Sequence, residues 1–513
     1  MSESITGNAA HYFVDRHLDS TTADKAAFIE SDGLKRSLSY RQLAEESGRM
    51  AALYAAQGIR SEERAAMLVL DQIEFPIIFW GSLKAGIVPI AVNTLLATDV
   101  YDTILRDSHA SVLFVSQTLL PAVQPILENH AHLRAIFVIG DSSEHLDFNA
   151  ELARCEARPA LPTNPDASAF WLYSSGSTGQ PKGVRHIHSS LKFTADTYGE
   201  QVLQIKEDDV VYSAAKFFFA YGLGNAMTFP MSVGATTVLL SGRPTPDIVL
   251  DIINTHNPSV FCGVPTLYAA LIAHLNGGHA TLDTQLRQCI SAGEALPEEV
   301  AKNWEALSKT RILDGVGSTE MLHIFLSNRP GDVVFGTSGV AVPGYDIRLV
   351  DENDKPVSVG EIGELLVNGQ SAASDYWNQR DKSRDTFQGV WTRTGDKYEL
   401  REDGRLIYCG RTDDMFKVSG IWVSPFEVEQ SLSAHPAVLE AAVVPVRDDQ
   451  ELEKPKAYVV LNEGVDPSGL EDNLKEHVKA QIGKWKYPRW IEFADDLPKT
   501  ATGKIQRFKL RDD

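Results

Sequence analysis

Short, continuous apolar runs recur along the first 300 residues, and segments with helical periodicity separate them. Apolar runs of about four to eight residues are typical of strands that are covered on both faces. The predicted strands are residues 65–71, 111–116, 135–140, 210–215, 236–241, 259–265 and 287–293. Because strands that alternate with helices build parallel sheets, the pattern predicts an α/β fold with largely parallel sheets.

Two segments carry clear signals for the start of a helix. In residues 39–57, Ser39 and Gln42 have the spacing of a capping box, in which each side chain bonds the other residue's backbone N–H. Further along the chain, Ser424 is a candidate N-cap that precedes a proline at the first helical position, and Glu427 has the spacing for a second capping box. Both segments are therefore predicted to be helices.

The pattern changes after about residue 340, where short strands alternate with turns that contain Gly and Asp. These short strands lie in residues 345–357, 363–369 and 404–411. They predict a smaller β-rich subdomain, after which a polar segment bounded by glycines follows at 410–420. We place a domain boundary near residue 412, with an N-terminal domain of residues 1–412 and a C-terminal domain of residues 413–513.

Composition limits the class of protein. A chain of 513 residues is too long for one core, and 43% hydrophobic with 23% charged residues is ordinary for a soluble globular protein. The formal charge of −21 argues against a nucleic-acid partner, because phosphates would be repelled. The most apolar window, residues 77–92, is shorter than a membrane span and contains Lys84 and Pro89, so it predicts buried core and no membrane partner.

The four cysteines, at positions 155, 262, 289 and 409, form no C-x-x-C pair. They therefore predict neither a zinc site nor a disulfide framework, and they are typical of a reducing compartment. The first residues lack the basic start and apolar run of a signal peptide. The expected location is the cytoplasm.

The segment "FWLYSSGSTGQPKG" combines a strand-like start with a loop of small and hydroxyl residues. Glycine and serine permit close approach of backbone N–H groups to an anion, and the lysine adds a mobile positive charge. The loop differs from the Walker pattern because Pro181 precedes the lysine and Gly183 follows it. A flexible surface loop is the alternative, but the apolar start anchors the loop to a strand. The candidate phosphate-binding residues are Ser174, Ser175, Gly176, Ser177, Thr178, Gly179 and Lys182.

Four later motifs carry less information when each is taken alone. Glu320 in "DGVGSTEM" is a candidate ligand for Mg²⁺, which prefers oxygen and usually binds together with substrate phosphates, or simply a glutamate at a helix N-terminus. Asp396 in "WTRTGDKYE" is either an acceptor for ribose hydroxyls or an ordinary turn aspartate. "GRTDDMFKVSG" is the third motif, and the fourth, "LPKTATGKIQR", contains Lys504, which taken alone is typical of a solvated surface.

The joint occurrence and order of these motifs resembles the acyl-adenylate-forming superfamily of acyl-CoA synthetases, adenylation domains and firefly-type luciferases. "YSSGSTGQPKG", "GSTE", "TGD", "GRTDD" and "PKTATGK" carry the resemblance, which covers essentially the whole chain. "KFFFAYGLGN", "STEMLHIF" and "FKVSGIWVSPFEVE" are similar to the benzoate-CoA and 4-hydroxybenzoate-CoA ligase branch. The resemblance implies a large N-terminal domain of α/β subdomains plus a β-rich subdomain, and a small mobile α+β C-terminal domain.

The resemblance also implies a reaction in two steps, with ATP, Mg²⁺ and coenzyme A as cofactors. A benzoate or substituted benzoate reacts with ATP to give acyl-AMP and pyrophosphate, and the thiol of CoA then displaces AMP. The expected partners are an aromatic carboxylic acid, ATP and CoA, and both a monomer and a homodimer stay open. One alternative is an adenylation enzyme that loads a carrier protein. Another is a nucleotide-binding switch without acyl chemistry.

Roles for single residues follow from the resemblance. The glycine-rich loop would hold the β- and γ-phosphates, Glu320 would ligate Mg²⁺ and Thr319 would touch the α-phosphate. Lys504 would bridge the attacking carboxylate and the α-phosphate, where a fixed cation stabilises developing charge. Many relatives place an aromatic residue where this chain has Val316, which leaves the adenine partners open. The remaining nucleotide-binding candidates are Gly293, Glu294, Ala295, Asp314, Asp396 and Arg411.

The resemblance assigns the last two groups of residues to the acid and to CoA. Asp413 would be the hinge of the mobile domain. The candidates for the CoA-facing surface are Ser419, Gly420 and Trp422, and a simple turn is the alternative for the first two. The candidates for a flat, mostly apolar acid pocket are Ala220, Tyr221, His323 and Ile324. The alternative interpretation of His323 is a histidine of the hydrophobic core whose hydrogen bonds are satisfied within the protein. The phenylalanines at 217–219 are predicted to belong to the core.

Overall fold

The computed structural model describes residues 7–175, 180–412, 414–418, 421–449, 452–499 and 505–511. The chain divides into two compact units. The first consists of Met1–Asp346 and Val367–Thr392, and the second consists of Ile347–Leu366 and Arg393–Asp513.

Two large sheets form the framework of the first unit. In spatial order, the strands of the eight-stranded sheet are Asp375–Tyr376, Pro181–Ile187, Ser168–Ser175, Val88–Ala91, Arg64–Leu68, Val112–Ser116, Ala135–Ile139 and Leu146–Asp147. The strands of the nine-stranded sheet are Val340–Ala341, Ile324–Ser327, Ile312–Gly317, Gln288–Ser291, Val260–Gly263, Val210–Ser213, Thr236–Leu239, Ala26–Glu30 and Ser37–Ser39. Most neighbouring strands run parallel, and all seven predicted strands are present, so the α/β prediction is confirmed.

Helices connect these strands. The α-helices of the first unit are Ala9–Phe13, Tyr40–Ala56, Glu74–Lys84, Thr98–Ser108, Leu120–Val123, Phe148–Ala153, His188–Thr194, Ala220–Leu223, Phe229–Val233, Pro246–His256, Pro265–Asn276, Glu298–Ser308 and Arg380–Thr386. Two π-helical segments, Ala195–Val202 and Gly224–Thr228, extend or join helices and were not predicted. The 3₁₀ helices among the described residues of this unit are Asp15–Asp19, Gln117–Leu119 and Gln124–Asn129.

Two of these helices test the sequence patterns directly. Tyr40–Ala56 begins at Ser39 with both hydrogen bonds of the predicted capping box. Every residue of Glu74–Lys84 is buried, including Lys84, whose Nζ lies 2.6 Å from an Asp15 carboxylate oxygen and 3.0 Å from the Ala44 carbonyl oxygen. Because the buried cation is paired and hydrogen-bonded, the apolar window forms core as predicted.

The second unit contains β structure and two α-helices. The strands of a five-stranded sheet, which lies mostly in this unit, are Asp346–Val350, Ile362–Asn368, Phe387–Gln388, Trp391–Leu400 and Leu406–Arg411. A hairpin pairs Phe416–Val418 with Ile421–Val423, and a three-stranded sheet contains Val438–Arg447, Glu453–Leu461 and Trp490–Phe493. The helices are Pro425–Ser433, Leu470–Ile482 and the 3₁₀ helix Arg507–Leu510.

The helix Pro425–Ser433 has the predicted N-cap but not the predicted capping box. Ser424 Oγ accepts a hydrogen bond from Glu427 N at 3.2 Å. The Glu427 carboxylate accepts hydrogen bonds from Lys486 Nζ at 2.6 and 2.7 Å instead of turning back to Ser424. A long-range ion pair therefore replaces the second, local bond.

Candidate active site

A strand hairpin of the first unit holds the two ends of the predicted phosphate loop. Ser168–Ser175 and Pro181–Ile187 pair antiparallel, with Ser174 opposite Lys182. Ser174 Oγ is buried and has no hydrogen-bond partner among the described residues. Gly176, Ser177, Thr178 and Gly179 lie outside the described residues, and only the backbone of Ser175 is described. The hairpin thus places Lys182 and Ser174 side by side at the base of the loop.

Lys182, Glu320 and Tyr376 form a closed polar triangle. Lys182 Nζ lies 2.9 Å from Glu320 Oε1 and 2.9 Å from Tyr376 Oη, and Tyr376 Oη donates to the same Glu320 oxygen at 2.7 Å. Burial alone would raise the pKa of Glu320, but the Lys182 cation and the Tyr376 hydroxyl outweigh it, so the pKa is lowered. Glu320 is therefore an anion held beside a cation that is only 8% exposed.

The backbone around Glu320 is held from several sides. We call residues 318–321 the glutamate turn. The carbonyl oxygen of Thr319 lies 2.8 Å from His186 Nε2, so this ring nitrogen carries the proton and donates. The next two carbonyl oxygens accept from Ala373 N at 2.7 Å and from Ser371 Oγ at 2.8 Å. Each of these three successive carbonyls thus accepts a long-range hydrogen bond from a different residue. The first and third also accept local bonds, from Leu322 N at 3.2 Å and from His323 N at 2.8 Å.

Tyr376 and His186 are site residues that the sequence reasoning missed. Tyr376 lies 56 residues after Glu320 in the chain, and His186 lies 133 residues before Thr319. Neither belongs to a motif used above. The four-residue spacing from Lys182 to His186 within one strand was a usable signal, because residues two and four apart in a strand share a face.

Two of the predicted acid-pocket residues lie against each other. The rings of Tyr221 and His323 are stacked at 5.9 Å, and His323 Nε2 lies 3.3 Å from the Tyr221 carbonyl oxygen. Burial lowers the pKa of His323 to about 3, so the ring is neutral with its proton on Nε2. His323 Nδ1 is then an acceptor, and it is buried without a partner among the described residues.

The Tyr221 hydroxyl is committed to the backbone. Its oxygen lies 3.1 Å from the carbonyl oxygens of both Gly263 and Ile290. Because a phenol has one proton and both neighbours are acceptors, the proton points to one of them and the oxygen lone pairs remain available to a donor. Tyr221 is therefore suited to accept a hydrogen bond from a ligand and not to donate one.

The other residues predicted around the acid differ in how deeply they are buried. Ala220 is half-buried at the start of Ala220–Leu223, whereas Ile324 is buried in the strand Ile324–Ser327. Phe217 and Phe218 are buried, as the core prediction requires, and Phe219 is half-buried with its ring 4.5 Å from that of Phe218.

The predicted adenine-side residues lie at or beyond the carboxyl ends of neighbouring parallel strand pairings. Ser291 ends one strand and is opposite Asp314 in the next, and Gly293, with φ +94°, follows two residues later. Glu294 and Ala295 are half-buried in the same loop, and Val316 is half-buried further along the Asp314 strand. Burial raises the pKa of Asp314 well above its usual range, and its Oδ1 has no partner in the described part of the chain. Ligands of open α/β sheets bind at such carboxyl ends.

In the second unit, Asp396 and Arg411 form a pair. They are opposite each other on neighbouring antiparallel strands, with Arg411 Nη1 3.1 Å from Asp396 Oδ1 and 3.0 Å from the Thr394 carbonyl oxygen. Gly395 has φ +72°, and a Cβ there would lie 2.8 Å from the Arg411 guanidinium. Glycine is thus required at this position of the strand, directly before Asp396.

Several predicted residues cannot be placed. Asp413, Ser419, Gly420 and Lys504 lie outside the described residues. Trp422 lies in the strand Ile421–Val423, and only its backbone is described. The hinge, the catalytic lysine and the CoA-facing surface therefore stay predictions from the sequence.

The donor set at Glu320 suits one kind of metal site. Within the described ranges, no three or more His, Cys, Asp or Glu side chains form a group able to hold an ion by themselves. A single anionic carboxylate fits Mg²⁺, which is usually bound through one or two carboxylates together with substrate phosphates. None of the helices described here has the length and apolar character needed to cross a bilayer.

Comparison with known proteins gives consistent matches along the chain. The model of the AMP-binding enzyme family matches residues 14–377, and that of the AMP-binding enzyme C-terminal domain matches residues 427–504. A 4-hydroxybenzoate-CoA/benzoate-CoA ligase from Rhodopseudomonas palustris is 51% identical over 98% of this chain and 94% of its own length.

Two solved structures are similar to this chain over almost their whole lengths. A benzoate CoA ligase from Burkholderia xenovorans is 46% identical with a TM-score of 0.90, covering 98% of this chain and 99% of its own. The anthranilate CoA ligase AuaEII, solved with anthranoyl-AMP, is 41% identical with a TM-score of 0.93, covering 98% and 96%.

Proposed function

The chain belongs to the family of AMP-binding enzymes, and we propose that it is an ATP-dependent aryl-CoA ligase. It activates benzoate or a substituted benzoate as the acyl-AMP, with release of pyrophosphate, and passes the acyl group to the thiol of CoA, with release of AMP. The relative that shares 51% of its residues is a CoA ligase, which favours CoA over a carrier protein as the acceptor. ATP and CoA are then substrates of the reaction.

The polar triangle of Lys182, Glu320 and Tyr376 is the observation that carries this proposal. A carboxylate is a poor electrophile until its oxygen becomes part of a good leaving group, and transfer to AMP achieves this. The transfer requires positive charge at the phosphates that depart. Lys182 supplies it beside the phosphate loop, and the Tyr376 hydroxyl holds Glu320 in place.

We assign Glu320 as the protein ligand of a magnesium ion that enters with ATP. When bound, Mg²⁺ neutralises negative charge on the phosphate oxygens. Lys182 keeps the Glu320 carboxylate ionised, which is the state that ligates a cation. Thr319, next in the glutamate turn, is assigned to the α-phosphate, and Lys504 to the attacking carboxylate and the α-phosphate.

The acid site accepts hydrogen bonds more readily than it donates them. His323 Nδ1 is an unpaired acceptor among the described residues, and the Tyr221 proton is already used. Both residues therefore suit a ring that is unsubstituted or carries a donor such as a hydroxyl or amino group. A panel of benzoate and of hydroxy-, amino- and fluorobenzoates, compared by kcat/KM, tests the substrate class.

We further propose that residues 1–412 and 413–513 act as separate functional domains, with Asp413 as the hinge. In this assignment the C-terminal domain brings Lys504 to the site for the first step. It then brings Ser419, Gly420 and Trp422 towards CoA for the second. Asp396 and Arg411 are assigned to the ribose hydroxyls, and Gly293, Glu294, Ala295 and Asp314 to the rest of the nucleoside.

The deciding experiment measures exchange of pyrophosphate into ATP in the presence of each acid, followed by thioester formation with CoA. We expect exchange that depends on an aromatic acid and a thioester product with free CoA. If none of the aryl or alkyl acids supported exchange of pyrophosphate into ATP, this result would contradict the ligase assignment. Exchange without thioester formation would redirect the proposal to a carrier protein as acceptor.

A further inference from the structure

The strand Pro181–Ile187 contacts the glutamate turn at two separate points. Lys182 and His186 lie on the same face of this strand because alternate residues share a face. Lys182 Nζ bonds the Glu320 side chain at 2.9 Å, and His186 Nε2 donates to the Thr319 carbonyl oxygen at 2.8 Å. One rigid strand thus touches both the side chain and the backbone of the turn.

The His186 ring is held tightly. It is fully buried, and it stacks on Phe170 of the neighbouring strand with ring centres 5.2 Å apart and an interplanar angle of 17°. Its Nδ1 is buried without a hydrogen-bond partner in the described part of the chain. An apolar residue would fill this space without the cost of an unpaired polar atom. The imidazole therefore differs from an apolar side chain of similar size in one useful respect, the hydrogen bond from Nε2 to the Thr319 carbonyl oxygen.

The other long-range supports of the turn come from a different part of the chain. Ala373 N and Ser371 Oγ bond the carbonyl oxygens of Glu320 and Met321. Without His186, the Thr319 carbonyl loses its bond to the strand that carries Lys182. Its remaining hydrogen bond, from Leu322 N at 3.2 Å, is local to the turn and does not tie Thr319 to that strand. Thr319 is then able to shift relative to Lys182 while the next two carbonyls keep their bonds. Small displacements of this kind are costly where reacting groups must be aligned.

We propose that His186 is a positioning residue, which sets Thr319 and Glu320 in register with Lys182 for the adenylation step. This inference rests on the proposed function, because that function gives the glutamate turn its role at the phosphates. His186 acts through the Thr319 backbone and touches no substrate. It would therefore affect nucleotide binding and adenylation more than the transfer of a finished acyl group to CoA.

The test compares His186→Leu with His186→Gln. Leucine removes the donor, whereas the glutamine amide keeps one on a side chain of similar reach. His188→Leu is the matched control, because His188 is also buried but its Nδ1 accepts from Ala9 N, away from the turn. The measurements are ATP affinity by calorimetry with Mg²⁺ present, single-turnover formation of benzoyl-AMP, thioester formation from synthetic benzoyl-AMP, and Tm.

We expect His186→Leu to weaken ATP binding about tenfold and to slow adenylation roughly 30- to 100-fold, the scale of a small misplacement of reacting groups. Thioester formation from benzoyl-AMP should fall by less than about threefold on the same reasoning. His186→Gln should recover most of the ATP affinity and the adenylation rate. His188→Leu should lower Tm without this split between the two steps.

Two results would overturn the inference. One is a folded His186→Leu protein with the ATP affinity and adenylation rate of the wild type. The other is an equal loss in both steps that His188→Leu reproduces. If His186→Leu does not fold, His186→Asn, whose amide is too short to reach Thr319, replaces it under the same criteria. If wild-type protein forms no aryl adenylate, the proposed function fails, while the ATP affinities still decide the role of His186.

Discussion

At Glu320, burial and charge act on one carboxylate in opposite directions. Burial favours the protonated acid, and Lys182 with Tyr376 favours the anion, which prevails. Changing Glu320 to Gln removes the charge, keeps the size and leaves the Lys182 cation without its anionic partner. We expect ATP–pyrophosphate exchange to fall by roughly 10²–10³, the scale of losing one group that stabilises the transition state.

Tyr376→Phe is the comparison for this variant, because it removes a hydroxyl from the same triangle but no charge. Its loss should be nearer tenfold, the worth of about 1.4 kcal/mol for one neutral hydrogen-bond donor. Equal losses in the two variants would show that the carboxylate charge has no special role.

Asp71 gives a pH dependence that can be assigned to one residue. It is 5% exposed, and burial raises its pKa to about 6, with Lys216 and Asp32 as charged neighbours. Between about pH 4 and pH 6 the unfolded chain releases this proton while the folded chain keeps it, so folding stability falls as pH rises. Above pH 6 the cost is constant, on the order of 2–3 kcal/mol for a shift of about two pKa units.

Asp71→Asn should therefore raise Tm relative to wild type at pH 8, and the difference should shrink between pH 6 and pH 4. The asparagine oxygen still accepts from Phe217 N, which Asp71 does at 3.3 Å. Thermal unfolding of both proteins at several pH values gives the difference in Tm between them. Titrating groups that do not interact with Asp71 contribute equally to both proteins and cancel in this difference. A difference that does not change with pH would contradict the raised pKa.

At the scale of elements, the capping box of the helix Tyr40–Ala56 is testable by itself. Ser39 Oγ accepts from Gln42 N at 3.2 Å, and Ser39 N donates to Gln42 Oε1 at 2.8 Å. Ser39→Ala should lower the free energy of unfolding by about 1 kcal/mol, because one helix N–H loses its acceptor. Ser37→Ala, at an exposed strand position nearby, is the control and should change little. Equal effects in urea unfolding would show that the cap is not the cause.

Secondary structure was predictable where the signal is local. The seven apolar runs became strands because burial on both faces of a parallel sheet demands continuous apolar residues. The cap at Ser39 was predictable because both of its partners lie within four residues. The prediction that Glu427 completes a capping box was wrong, because Lys486, 59 residues away, binds its carboxylate instead. The π-helical turns at Ala195–Val202 and Gly224–Thr228 left no pattern of their own.

The residues of the candidate site likewise fall into those that the sequence identifies and those that only the fold identifies. Lys182 and Glu320 could be selected from motifs, because their chemistry and their small, hydroxyl-bearing neighbours are visible in the sequence. Tyr376 could not, because its role arises only when distant segments are placed side by side. His186 was marked only by its four-residue spacing from Lys182 within one strand, which shows a shared face but not the bond to Thr319. The commitment of the Tyr221 hydroxyl to Gly263 and Ile290 likewise depends on the fold. Motifs thus selected the groups that we assign to the ligand, and the structure added the groups that hold them.

At the scale of the whole molecule, the two steps of the proposed reaction need different groups of the same chain near the reacting atoms. The first step needs cations at the phosphates, and the second needs a thiol to reach the acyl carbon. A fixed lysine suits the first step only. The proposed hinge at Asp413 would resolve this conflict, since the proposed movement of the C-terminal domain would exchange Lys504 for the CoA-facing surface.

Lys504→Ala separates the two steps. Adenylate formation should fall by roughly 10²–10³ or more, because a cation that stabilises the transition state is lost. Thioester formation from synthetic benzoyl-AMP should largely survive, because the proposed domain movement would withdraw the lysine during that step.

Lys499→Ala is the matched control for this prediction. Lys499 belongs to the same segment, but its Nζ is already paired with Glu440 at 2.6 Å and with Asp496 at 3.0 Å. It should leave the ratio of the two rates unchanged. If Lys504→Ala slowed both steps equally, one arrangement of the domains would serve both reactions, and the hinge would have no catalytic purpose.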